Sequence, residues 1–173
     1  MLNAFRADAV RALWLIEGGR GEYRPFFEGR PPAQEQMQAA LADGWRRRAD
    51  FMADFASPIP ARLEAAGKAV EISRQLLAAH PSTANRIRLA HGLLSEGDAW
   101  HTAARCSHGA ESVSAHQSSR DRYFASLEIL NSVRKSGELP AAENAVLAIL
   151  ATNLADADDR LQAARDSRTN SGQ

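Results

Sequence analysis

Cysteine is almost missing from this chain: Cys106 is the only one in 173 residues. A single thiol closes no intrachain disulfide, so no disulfide framework holds the fold, and a reducing compartment suits it. No apolar run approaches the roughly 20 residues of a membrane-spanning helix. Aromatic residues make up 6% of the chain and runs of Val, Ile, Thr and Tyr are missing, which leaves little that reads as strand. An excess of one charge is also missing. With 21 basic and 21 acidic residues, no overall basic field points to nucleic acid and no acidic tail points to a basic partner. The strong metal-ligand spacings do not occur: there is no His-Glu-x-x-His, no Glu-x-x-His and no Cys-x-x-Cys. Arg6, Asp8 and Arg11 interrupt the first apolar stretch, unlike a secretory signal. These absences lead to an expectation of a cytoplasmic α-helical protein without metal or cofactor.

The residues that remain are rich in alanine, the best helix former. Periodicity predicts helices over residues 2–16, 34–56, 61–79, 83–96, 98–116, 118–136 and 140–167, with an uncertain junction near Gln117. Ser57-Pro58-Ile59-Pro60 and His80-Pro81 mark sharp boundaries. Ser82 is placed to cap the helix that follows it. Arg46 with Asp50, Glu64 with Lys68, and Asp156 with Arg160 stand four apart and are placed to pair. In the last helix Ala142, Val146, Ile149, Asn153, Ala157, Leu161 and Ala164 form the expected inner stripe, with Asn153 requiring a hydrogen-bond partner if buried. Residues 1–165 read as one domain. Its first part, residues 1–33, is a helix followed by a Gly/Pro/aromatic loop, and residues 34–165 supply helical hairpins. Residues 166–173 read as a flexible tail.

Gly97 and Gly137 stand 40 residues apart in similar surroundings, as expected for turns of two successive hairpins. Leu89, Ala90, Leu93, Gly97 and Gly109 in one segment, and Gly137, Leu139, Ala142 and Val146 in the next, resemble tetratricopeptide repeats. Lys68 to Pro81 is similar to the second helix of such a repeat. Residues 135–154 look most like the tetratricopeptide chaperones of type III secretion. The spacing is longer than the repeat's about 34 residues, and Arg86 and Ser126 stand where tryptophan is usual. The resemblance implies a stack of antiparallel helical hairpins, or a helical bundle of the same character, with a groove for a protein or peptide.

Function follows as an expectation from that surface: a non-enzymatic, chaperone-like adaptor. The loop aromatics Tyr23, Phe26 and Phe27, the run Arg46, Arg47 and Arg48, and the exposed side of residues 86–101 form the candidate contact surface. Nucleic acid is left open as a partner without being favoured, a homo-oligomer is also left open, and no membrane is expected. High alanine and arginine content fits a GC-rich bacterial, plasmid or phage source.

A second resemblance leads to a different class. Small ribonucleases of the HEPN type carry an arginine followed four to six residues later by histidine, and Arg86-Ile-Arg-Leu-Ala-His91 fits, as does Arg74 to His80. That resemblance implies a metal-independent nuclease in which Arg86 stabilises phosphate charge and His91 moves a proton. His101, His108 and His116 are read as sharing one helix face, and Cys106 as a small buried thiol.

Overall fold

In the computed structural model, residues 34–54 and 57–170 are described. The described chain forms five α-helices and no strand: α1 (Gln34–Asp54), α2 (Ile59–Ala79), α3 (Thr83–Cys106), α4 (Gly109–Lys135) and α5 (Glu143–Asn170). The expected helix over 2–16 and the loop over 18–33 lie outside the described residues.

Local chemistry sets most helix ends. Pro60 occupies the first turn of α2, where its missing N–H would have had no helical partner. Ser82 Oγ accepts a hydrogen bond from the Asn85 backbone N–H at 3.2 Å, as the sequence led us to expect, and so starts α3. The α4 terminus is a Schellman turn: Gly137 takes φ +77°, its N–H reaches Arg134 O at 3.0 Å, and Glu138 N–H reaches Val133 O at 3.2 Å.

The other expected turn is corrected. Gly97 lies inside α3, which runs unbroken from Thr83 to Cys106 and ends at Ser107-His108. Gly97 is there for contact, because a Cβ added to it would stand 2.6 Å from two ring carbons of Tyr123. The chain therefore bends one helical turn or more later than the repeat pattern requires, and the first repeat has no turn at its glycine. Likewise α4 continues straight through Gln117.

Pairings across helices give the arrangement. Arg62 meets Thr102, Ser119 meets Gly97, Ser126 meets Ala90, and Arg120 meets Asp158, so each helix runs antiparallel to the next. Arg88 meets Asp43, Ser95 meets Asp50, and His91 meets Glu143, so α1, α3 and α5 run in one direction. Helix α3 is the central element, touching the other four. Its Ala99 packs with Ala49, Ala65 and Ala66 of α1 and α2. Its Leu89 and Leu93 pack with Val70 of α2. Its Ala90 joins Tyr123, Leu130, Leu147, Leu150 and Ala157 of α4 and α5. Alanine at so many of these contacts lets the helix axes approach closely. Among the described helices none is long and apolar enough to cross a membrane.

Candidate functional site

The sequence places the polar and charged candidates on several helices, and the fold separates them. Tyr23, Phe26 and Phe27 lie outside the described residues. Arg46 turns inward and its Nη1 donates to Asp50 Oδ2 at 2.9 Å; Asp50 also accepts from Ser95 Oγ of α3 at 2.5 Å. Arg47 and Arg48 are exposed, with the Arg48 guanidinium 5.1 Å from the Trp45 ring centroid. Lys68 of α2 approaches the same ring at 4.5 Å and donates to Glu64 at 2.6 Å. The arginine run is thus divided between a part-exposed tie to Asp50 and a surface cation–π cluster.

Arg86 is exposed on α3, whereas His91 is half-buried and its Nε2 lies 2.7 Å from Glu143 Oε2 in the first turn of α5. Five helical residues place the two side chains about 140° apart. The three histidines read as one face are also redistributed: His101 is on α3, His108 stands just before α4 without a capping side-chain hydrogen bond, and His116 is on α4. Cys106 is exposed at the end of α3, which corrects the buried reading; the helix stops there, so no following turn covers the thiol.

The structure assembles a polar seam that the sequence did not announce. Tyr123 Oη donates to Asp98 Oδ1 at 2.7 Å, and Asn153 Nδ2 of α5 donates to the same oxygen at 3.4 Å. Asn153 thereby has the partner that its place on α5 demanded. Arg62 Nη1 of α2 donates to Thr102 Oγ1 at 2.7 Å, and Thr102 Oγ1 donates to the Asp98 carbonyl at 2.9 Å. Burial pushes the Asp98 carboxyl above the usual carboxylate range, although the Tyr123 hydrogen bond and the Arg62 charge oppose it. Burial and the Asp98 charge push the Tyr123 phenol far up. Beside this seam Arg122 Nε and Glu96 Oε2 approach to 2.8 Å, paired by charge without an aligned N–H.

Two surface features complete the description. Between α4 and α5, an open depression of about 400 Å³ is lined by Gln117, Arg120, Asp158, Leu161, Gln162 and Arg165. Arg120 is held there by Asp158 at 2.5 Å and Arg165 reaches Gln117 at 3.0 Å. The second feature is the outer side of α5. No charged residue occurs between Glu143 and Asp156, and Ala145, Ala148, Ile149, Thr152 and Ala155 are exposed, Ile149 to 51%. Among the described residues no group of three or more His, Cys, Asp and Glu is arranged to hold a metal ion. The chain matches no family model, no curated protein and no solved structure.

Proposed function

We propose that this protein is a non-enzymatic, chaperone-like helical adaptor that binds a protein partner through the outer face of α5. The observation that carries the reading is the exposed, uncharged stretch around Ile149. Exposed helix faces are ordinarily charged, as α2 is with Glu64, Glu71 and Arg74. Small residues at three- and four-residue spacing leave a shallow channel into which the apolar stripe of a partner helix fits. Asp159 is the next exposed residue on that face, so the matching partner is an amphipathic helix with a lysine or arginine beyond its apolar stripe. Arg47 and Arg48, together with Tyr23, Phe26 and Phe27, remain candidates for a second contact with the same partner.

The test is site-specific photocrosslinking in the native host. A photoreactive residue at position 149 should capture one protein, through a helical segment of that character, and the same residue at position 71 should not. Ile149→Asp, introduced with the probe moved to position 152, should abolish capture. Equal capture from both positions would overturn the reading, as would recovery of second copies of this chain alone. RNA cleavage by the wild type that disappears in a folded His91→Ala variant would replace it with the nuclease reading.

A further inference from the structure

Two histidines meet where α3, α4 and α5 converge. The rings of His101 and His116 stand edge to face, with centroids 6.2 Å apart and planes at 77°. His116 is only 6% exposed, and its Nδ1 is buried without a hydrogen-bond partner. From α5, Asp156 Oδ2 lies 3.8 Å from His101 Nε2, but the same oxygen accepts from Arg160 Nε at 2.7 Å. The other charges facing His101 are Arg105 and Asp98 on its own helix; His116 faces His101, Arg160 and Asp156. The two imidazoles therefore share the Asp156 carboxylate, which Arg160 already holds, and only His101 also faces Asp98.

We propose that His101 and His116 form an acid-sensitive latch on the C-terminal half of α5, closed while both rings are neutral and released when they take up protons. Two charged rings at this separation repel each other, and Arg160 and Arg105 add to the repulsion. His116 is almost wholly buried and its Nδ1 is sealed from solvent, so a charge on that ring is poorly hydrated in place. Burial accordingly holds both rings below the ordinary histidine value; at His101 the Asp156 and Asp98 charges oppose it while Arg160 and Arg105 support it, and at His116 the His101 and Arg160 charges support it against Asp156. A group depressed in this way favours the closed form fully above the ordinary value of about 6.5, and that preference is lost as pH falls. The other end of α5 is built differently: no two rings face each other there, and His91 Nε2 stands 2.7 Å from Glu143 Oε2. Acid thus loosens residues 156–170 while residues 143–150 stay seated. The seam that opens is lined by Ala157 and Leu161, both buried in the closed form. This latch does not depend on the adaptor reading.

Amide hydrogen exchange of the full chain, expressed as protection factors at pH 7.5 and pH 5.0, tests it. Protection over residues 157–167 should fall at pH 5.0, while residues 147–150 keep theirs. The double variant His101→Gln, His116→Gln should retain protection at pH 5.0. Should that variant not fold, His101→Gln alone replaces a partly exposed ring and should show a smaller loss than the wild type. Equal wild-type protection at both pH values would overturn the latch. So would a loss spread evenly over all five helices, or one undiminished in His101→Gln.

Discussion

Two glycines with the same helical backbone have opposite roles, and substitution separates them. An alanine Cβ at Gly97 would stand 2.6 Å from the Tyr123 ring, a side chain held by its own hydrogen bond to Asp98. Overpacking of that kind costs about 1–3 kcal/mol, which outweighs the roughly 1 kcal/mol that alanine gains over glycine in a helix. Gly67 in α2 has nothing within 4 Å of such a Cβ. Gly97→Ala should therefore lower the urea midpoint and Gly67→Ala should raise it, the latter by about 0.5–1 kcal/mol in stability. Tyr123→Phe removes a hydrogen bond to a partly buried carboxylate and should cost about 1.5–3 kcal/mol in the same assay.

At the level of helices, the contrast between Gly97 and Gly137 shows how far the sequence can be read. The turn at Gly137 was legible because Ser136, Gly137 and Glu138 follow a long amphipathic run and satisfy the last carbonyls locally. The same residue type at Gly97 reports contact with a ring 26 positions away, which no local pattern contains. Pairs four residues apart, the Ser82 cap and the His80-Pro81 boundary were read correctly for the same reason: their partners are neighbours in the chain. The other proline boundaries were placed a few residues off, since α2 already includes Ile59 and Pro60 and the helix expected from residue 140 starts at Glu143. The Asp98 seam was not legible because its members come from four helices. The inner stripe of α5 was read correctly at Ala157 and Leu161, which are buried, and wrongly in its first half: Leu147 and Leu150 are buried there, whereas Ile149, expected inside, is 51% exposed. Uncharged residues surround that helix on every side over three turns, so periodicity cannot choose between its faces. The two leucine-sized positions can be told apart by experiment. Leu150→Ala should cost about 2–5 kcal/mol, and Ile149→Asp should change stability by no more than about 0.5 kcal/mol while abolishing partner capture.

Across the whole molecule, the buried groups around α3 respond to acid in opposite senses. His101 and His116 are depressed, so their contribution is full above the ordinary histidine range and declines below it. Asp98 is raised, so its contribution is full below the ordinary carboxylate range and is lost as pH rises through its folded value. At neutral pH the chain therefore carries the cost of a charged Asp98 and the benefit of neutral histidines. Acidification reverses both. Global stability measured by chemical denaturation should fall less steeply below pH 6.5 than the histidines alone would require, because protonation of Asp98 offsets part of the loss. Asp98→Asn removes the offset while keeping an oxygen for Tyr123 to reach. Its stability relative to wild type should rise as pH climbs from the ordinary aspartate range through the folded value of Asp98 and stay level above it, at up to about 1.4 kcal/mol for each pH unit over which Asp98 titrates differently in the folded and unfolded chains. A pH-independent difference between the two proteins would mean that Asp98 is no more perturbed in the fold than in the unfolded chain, and that its place among Tyr123, Asn153 and Arg62 sets geometry without storing charge energy.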